Sequence, residues 1–186
     1  MDKGFDSSLS DFHNTRQDVF WSRHLHFRKP SAFYSSGLVE GATSRELLTA
    51  MGAKMNIDGS RSRIVAITLK ERGSALAYYR PGEKTPIIAE VPACKVKVVD
   101  GTGAGDTFKV GLTAYITEHL DEFKDGRLNI REATQFSNAT AASYIMGTGT
   151  EKVGNLKQTL EFMGEQYPQT LTLEPPARIK QGKLTT

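Results

Sequence analysis

A glycine-rich segment at residues 98–108 constrains the fold of this 186-residue chain more than any other feature. It reads Val-Val-Asp-Gly-Thr-Gly-Ala-Gly-Asp-Thr-Phe, an apolar run followed by alternating glycines and the start of a helical pattern. The first amide groups of a helix lack intrahelical acceptors and lie at its positive end. Because Gly103 and Gly105 have no Cβ, a ligand can approach the backbone closely. The segment therefore predicts a strand, a tight turn and a helix that form an anion site suited to phosphate.

The residue that follows the last glycine indicates which phosphate chemistry is expected. A P-loop has lysine there and a dinucleotide-binding loop has different glycine spacing, whereas this chain has Asp106. A carboxylate repels phosphate but suits a general base that removes a proton from an attacking hydroxyl group. Asp106 is therefore predicted to be a catalytic base, with the amides of residues 102–106 stabilising the transferring phosphoryl group. The alternative is an ordinary tight turn without a ligand.

The rest of the chain beyond residue 43 alternates between strand and helix patterns, which predicts an α/β fold. A short first helix is expected to start at a cap formed by Thr43 or Ser44 and to end at Gly52. The predicted strands or extended segments are Arg63–Leu69, Ser74–Tyr79, Thr85–Val91 and Lys95–Val99. The predicted helices are Arg45–Met51, Gly105–Leu120, Ile130–Met146 and Asn155–Met163.

Composition excludes several classes of protein. The chain is 38% hydrophobic and 24% charged, as soluble globular proteins are. It has no run of about 18 apolar residues that could span a membrane, and no apolar leader at its start. A single cysteine, Cys94, favours a reducing compartment, and we expect a cytoplasmic protein. The net charge of +3 comes from scattered residues, so neither a nucleic acid nor a membrane is an expected partner.

The glycine segment as a whole resembles the C-terminal signature of the ribokinase-like (PfkB) sugar kinases, D-T-x-G-A-G-D-x-F-x-x-G. Gly101 replaces the usual threonine, and the matching residues are Asp100, Thr102, Gly103, Ala104, Gly105, Asp106, Phe108 and Gly111. The resemblance implies a three-layer αβα fold with a largely parallel central sheet. It also implies ATP as the phosphoryl donor, Mg²⁺ as a cofactor, and a sugar or related alcohol as the acceptor.

The same resemblance assigns roles to individual residues of the signature. The aspartate that matches Asp106 is the catalytic base of the family, and the amides that match Gly103, Ala104 and Gly105 form its anion hole. Positions like Asp100 and Thr102 imply a monovalent cation such as K⁺.

Two further segments resemble parts of the nucleotide site in that family. Thr68 and Gly73 match the T-L-G-x-x-G strand-turn-strand that lines the nucleotide, and Lys70 stands where glycine is usual. The Lys70 side chain is expected either to crowd the nucleotide or to contact its phosphates.

The alanine-rich segment at residues 136–143 resembles the helix whose start borders the adenine. Asn138 matches a polar position of the adenine pocket, and Ala142 is a small residue that permits close approach. Gly149 matches the loop that closes the nucleotide site. The alternative for the alanines is ordinary packing of a helix against a sheet.

The resemblance covers about residues 45–165 and divides the chain into three parts. We expect an irregular N-terminal segment at 1–42, an ATP-binding and catalytic region at 43–168, and a flexible tail at 169–186. The N-terminal half of the family, with its sugar-binding residues and lid, has no recognisable counterpart. Two functions remain open, an ATP-dependent sugar kinase and a non-catalytic nucleotide-binding or structural subunit. An exposed apolar half-sheet is expected, covered by a second copy or another partner.

Overall fold

The computed structural model describes residues 25–28, 43–55, 60–148 and 155–170. These residues form a four-stranded sheet in the order β1-β2-β3-β4. The strands are β1 (Leu25–Arg28), β2 (Arg63–Thr68), β3 (Ser74–Tyr79) and β4 (Ile87–Val91). The helices are α1 (Ser44–Lys54), α2 (Ala104–Glu118), α3 (Leu120–Lys124), α4 (Ile130–Ile145) and α5 (Leu156–Gln166). The tail beyond residue 170 and the loop that contains Gly149 lie outside the described residues.

The described part of the sheet is mixed, whereas the sequence predicts a largely parallel one. β1 pairs with β2 in parallel, and β2–β3 and β3–β4 are antiparallel. The short turn from Leu69 to Gly73 permits only the antiparallel arrangement, because a parallel connection needs a long crossover. This turn includes one 3₁₀ turn, Lys70–Arg72, and brings Thr68 opposite Ser74.

Helices cover both faces of the sheet, which gives the three-layer αβα arrangement expected from the sequence. Successive side chains of a strand point to opposite faces. On β2, Ile64 and Ala66 pack in one core with Phe108 of α2 and Phe136 of α4. Val65 and Ile67, which alternate with them, pack in a second core with residues of α1.

Helices α2 and α4 cross closely at Gly111. A Cβ at this residue would lie 2.7 Å from Thr140 Oγ1 and 3.2 Å from Ser137 Cα. The absence of a side chain therefore permits the close approach of the two helices that carry most of the predicted site.

Three local predictions differ from the structure. Gly52 lies inside α1 and does not end it, because the glycine makes room for the Tyr79 side chain, which a Cβ would overlap. Residues 95–99 form no strand, and the amides of Val99 and Asp100 instead donate to the Ile145 carbonyl of α4. Strand β1 lies in the segment predicted to be irregular, because four residues are too few to give a recognisable alternation.

None of the helices in the described ranges has the length and apolar character that crossing a bilayer requires.

Candidate functional site

The glycine segment forms a tight turn followed directly by α2, as the sequence predicts. Gly103 precedes the helix with φ 83° and ψ −1°, a left-handed conformation that favours glycine. The Thr102 amide donates to Asp100 Oδ1 at 2.9 Å. The Ala104 amide donates to the Gly101 carbonyl at 3.3 Å, which closes a β-turn. The amides of Thr102 and Ala104, both predicted to face a phosphoryl group, thus serve the turn itself.

Gly105 is the residue of this turn that leaves room for a ligand. It lies in the first turn of α2, where a helix supplies no acceptor for its amide groups. Among the described residues, and apart from its chain neighbours and its own helix backbone, a Cβ built on Gly105 meets no atom within 4 Å. Neither the packing of the described residues nor a left-handed φ therefore requires glycine at this position, and the open space above it fits the approach of a phosphate group.

Asp106 follows Gly105 and presents its carboxylate to solvent. Its side chain is 81% exposed, and Oδ1 accepts a hydrogen bond from Lys109 Nζ at 2.8 Å. A carboxylate at this end of a helix is stabilised by the helix dipole. Lys109 lies within the signature, but its role was not predicted; its spacing of three residues from Asp106 is the signal that identifies the pair.

In the turn between β2 and β3, both positions at which the T-L-G-x-x-G motif has glycine adopt a positive φ. Lys70, at the position where glycine is usual, has φ 55°. Gly73 has φ 101°, and a Cβ there would lie 2.0 Å from the Val91 carbonyl oxygen. Left-handed backbone thus occurs at both positions, and at Lys70 the chain adopts it with a side chain present. Thr68, at the end of β2, is half-buried.

Asn138 is buried and hydrogen-bonded inside the molecule. Its Oδ1 accepts from Ser74 Oγ at 2.7 Å, and its Nδ2 donates to the Pro92 carbonyl at 3.1 Å. The predicted adenine-pocket residue therefore joins β3, α4 and the end of β4. Ala142, one turn further along α4, is also buried. Gly149 lies outside the described residues.

The segment that leads from β4 into the glycine turn is held by residues that sequence reasoning did not identify. Tyr167, just after α5, donates its hydroxyl to the Pro92 carbonyl at 2.8 Å and lies 3.3 Å from Cys94 Sγ. Gln166 Oε1 accepts from the Lys95 amide at 2.9 Å. Burial, with the thiol next to it, raises the pKa of Tyr167, and burial also raises the pKa of the Cys94 thiol. Both groups are therefore neutral at physiological pH and act as hydrogen-bonding partners.

Helix α4 joins two parts of the predicted site. Near its middle, Asn138 contacts Ser74 and Pro92, close to Gly73. Two turns later, the Tyr144 ring lies where a Cβ on Gly103 would be 3.2 Å away. The rise of a helix puts these two points about 9 Å apart along α4. The structure thus arranges the turn between β2 and β3 and the glycine turn along one helix.

Within the described residues, no group of three or more His, Cys, Asp or Glu side chains is arranged to hold a metal ion. Mg²⁺ commonly binds through substrate phosphates and one or two carboxylates, and does not need such a group. The exposed Asp106 carboxylate at the start of α2 is a ligand of the type that Mg²⁺ prefers. Asp100 Oδ1, predicted to help hold a monovalent cation, accepts the Thr102 amide.

Comparison with known protein families identifies the chain. Residues 24–155 match the model of the pfkB family carbohydrate kinases, which covers more than half of the sequence. The chain belongs to the pfkB family. This family membership agrees with the glycine turn, the aspartate after it and the three-layer fold.

Individual relatives of the pfkB-family chain are much longer than the chain itself. It is 30% identical over 108 residues to the bifunctional protein HldE of Helicobacter pylori (strain Shi470), covering 58% of the chain and 20% of that protein. It is 28% identical over 123 residues to mouse ribokinase, covering 66% of the chain and 35% of that protein. The structure of Arabidopsis thaliana ribokinase complexed with ribose and ATP superposes with a TM-score of 0.53 at 22% identity, covering 75% of the chain and 40% of that protein. The likeness to solved structures confirms the ribokinase-like fold.

Proposed function

We propose that this chain transfers the γ-phosphoryl group of ATP to a hydroxyl group of a sugar or related small molecule. The observation that carries the proposal is the exposed Asp106 carboxylate next to Gly105. Apart from the chain neighbours of Gly105 and its own helix backbone, the described residues place no atom within 4 Å of a Cβ built there. Family membership supports phosphoryl transfer to a sugar at the level of the family. The Arabidopsis relative, a ribokinase complexed with ribose and ATP, supports the choice of ligands.

In this proposal, Asp106 acts as the general base. Its carboxylate removes the proton of the acceptor hydroxyl, and the hydroxyl oxygen forms a bond to the γ-phosphorus. The bond from that phosphorus to the bridging oxygen breaks, and ADP leaves. The amides of Gly103 and Gly105 stabilise the charge on the transferring group, and Ala104 supports them by closing the turn. Mg²⁺, when bound with ATP, neutralises phosphate charge.

The remaining predicted residues form the nucleotide side of the proposed site. Thr68, Lys70 and Gly73 border the nucleotide from the turn between β2 and β3, and Ala142 and Gly149 border it from α4 and the following loop. Asn138 acts there by holding Ser74 and Pro92 in position. Asp100 and Thr102 are the proposed residues for a K⁺ ion.

The test is the variant Asp106→Asn, assayed for phosphorylation of a panel of sugars with ATP and Mg²⁺. Loss of the base is expected to lower kcat by about 10²- to 10⁴-fold, with ATP binding retained. The matched control is Asp125→Asn, because Asp125 is also an exposed aspartate, ion-paired with Arg127 at 2.9 Å. Equal turnover by the wild-type chain and Asp106→Asn would refute the assignment of the base.

A second candidate function is a non-catalytic nucleotide-binding or structural subunit. It is favoured by Lys70, an exposed side chain at a position where the nucleotide-lining motif of the family usually has glycine. Such a subunit is expected in the cytoplasm, as a homo-oligomer or covered by another protein. Nucleotide binding without turnover of any sugar in the panel would favour this second function over the kinase.

A further inference from the structure

Lys109 forms a close ion pair with the proposed base. Its Nζ lies 2.8 Å from Asp106 Oδ1, and both side chains are exposed, at 44% for Lys109 and 81% for Asp106. The two residues are three positions apart on α2, so both lie on the same face of the helix. Lys109 is therefore a cation that lies one helical turn after Gly105 and is in contact with the proposed base.

The charge of Lys109 resolves a physical conflict in the proposed site. An unpaired Asp106 carboxylate would repel the triphosphate that has to bind next to it. A cation in contact with Oδ1, as Lys109 Nζ is, offsets this repulsion. Because lysine is a compact charge on a flexible four-carbon chain, it can exchange one anionic partner for another nearby.

We propose that Lys109 is a phosphate-binding catalytic residue that moves from Asp106 to the transferring phosphoryl group; this rests on the proposed kinase function. When Asp106 takes the proton of the acceptor hydroxyl, its charge is lost and its attraction for Lys109 falls. At the same time the hydroxyl oxygen bonds to the γ-phosphorus, the bond to the bridging oxygen breaks, and ADP leaves. The Lys109 ammonium group remains protonated throughout and stabilises the phosphoryl oxygens.

The first test compares the affinities of ATP and ADP for the full chain, measured by isothermal titration calorimetry. Lys109→Met keeps the side-chain stem and removes the charge. We expect it to weaken ATP binding about five-fold or more, and to leave ADP binding unchanged, because only ATP has a γ-phosphate. Lys109→Arg, which restores the charge, is expected to recover most of the affinity for ATP.

The matched control is Lys157→Met on α5, because Lys157 is also an exposed lysine paired with an acid, Glu161, at 3.8 Å. This variant should bind both nucleotides as the wild type does. All variants should unfold at the temperature of the wild-type chain, since exposed ion pairs contribute little to stability.

The outcomes separate this inference from the function on which it rests. If wild type and Lys109→Met bind ATP equally well, the role of Lys109 is refuted and the kinase proposal stands. If Lys109→Met weakens ATP and ADP equally, Lys109 does not contact the γ-phosphate and the inference is also refuted. If the wild-type chain binds neither nucleotide, the proposed function fails and the inference fails with it.

Discussion

Three glycines close together in the chain differ in what their missing side chain permits. They are Gly103, Gly105 and Gly111. Gly103 has a left-handed backbone and lies against the Tyr144 ring. Gly111 permits the close crossing of α2 and α4. Gly105 has neither constraint within the part of the chain that the structure describes, since an added Cβ would meet no atom within 4 Å beyond its chain neighbours and its own helix backbone. At the scale of single residues, Gly105 is therefore the one of these three glycines that neither a left-handed backbone nor the packing of the described residues requires.

This difference predicts opposite effects of the same substitution. Gly105→Ala should keep or raise the free energy of unfolding, by up to about 1 kcal/mol, because alanine is the better helix former. It should also lower phosphoryl transfer and ATP affinity, because the methyl group occupies the proposed phosphate position. Gly111→Ala should destabilise the protein by about 1–3 kcal/mol through overpacking against Thr140.

Chemical denaturation together with ATP titration measures both effects. A Gly105→Ala protein that binds ATP as well as the wild type would contradict the position of the phosphate, whatever its stability. Gly111→Ala is the control that distinguishes loss of packing from loss of binding.

The turn between β2 and β3 illustrates how much of the backbone conformation of a single residue can be predicted from the sequence. The resemblance marks residues 70 and 73 as glycine positions, and both have positive φ, at 55° for Lys70 and 101° for Gly73. At Gly73 an added Cβ would overlap the Val91 carbonyl, whereas Lys70 is exposed. A backbone preference is thus visible in a motif, but only the structure tells which position tolerates a side chain.

At the scale of elements, Asn138 connects three parts of the chain that are distant in sequence. Ser74 is 64 residues away, Pro92 is 46 and Tyr167 is 29. The motif predicts a polar residue here, and no local pattern gives its partners. These hydrogen bonds explain how α4 and the residues after α5 hold the segment that leads into the glycine turn. The sequence predicts a strand within this segment, at Lys95–Val99.

Removal of the Asn138 side chain, which all of these hydrogen bonds share, is expected to destabilise the protein. Asn138→Ala leaves the buried Ser74 hydroxyl without its acceptor, so we expect destabilisation of about 1–3 kcal/mol in urea unfolding. The double variant Ser74→Ala/Asn138→Ala should recover part of this loss, because the buried Ser74 hydroxyl that would lack an acceptor is then also removed. If the single variant is as stable as the wild type but loses ATP affinity, Asn138 contacts the nucleotide directly and the positioning role is wrong.

Helix α1 gives a pH-dependent prediction at the same scale. Thr43 and Glu46 form a capping box, in which Glu46 accepts from the Thr43 amide at 2.7 Å. This backbone hydrogen bond, with a second one from the Thr43 hydroxyl, lowers the pKa of Glu46. Because the pKa of Glu46 is lower in the folded protein than in the unfolded chain, its carboxylate stabilises the folded state. This contribution is complete above the unfolded pKa of about 4.5, and it is lost as the pH falls through the pKa of the folded state.

The variant Glu46→Gln tests this sign, because glutamine retains a capping box without the charge. Wild type should be more stable than Glu46→Gln at pH 7, and the difference should shrink as the pH falls to about 3. Thermal unfolding at several pH values measures it. A difference that is the same at pH 7 and pH 3 would contradict the contribution of the carboxylate charge.

Elements with strong local signals could be predicted, and those that depend on distant partners could not. The glycine turn, β2, β3 and the helices α2, α4 and α5 lie where the sequence predicts them, because caps and apolar spacing are local. The Asn155 cap of α5, for example, forms a capping box with Gln158. The end of α1 was misplaced because the role of Gly52 depends on Tyr79, 27 residues later in the sequence.

At the scale of the whole molecule, the apolar surface lies at a different place from the one that the sequence predicts. An exposed half-sheet was expected, but helices cover β2 and β3, and every residue of β3 is buried. Three of the six large apolar residues that are exposed in the described part of the chain adjoin the glycine turn. Val98 is 56% exposed, Val99 is 53% and Met146 is 44%. Val99 donates its amide to Ile145, so these side chains belong to one region next to the proposed site.

An exposed apolar region of this kind predicts that the chain associates through it. We expect sedimentation velocity to detect a dimer or larger species at micromolar concentration. The double variant Val98→Ser/Val99→Ser should shift the distribution toward monomer, because it removes apolar area without disturbing a buried residue. The matched control is Leu156→Ser/Leu160→Ser, which removes exposed apolar side chains from α5 and should leave the distribution unchanged. A wild-type chain that sediments as a monomer across the concentration range would contradict the prediction. An equal shift in both double variants would show that the contact is not specific to the region next to the glycine turn.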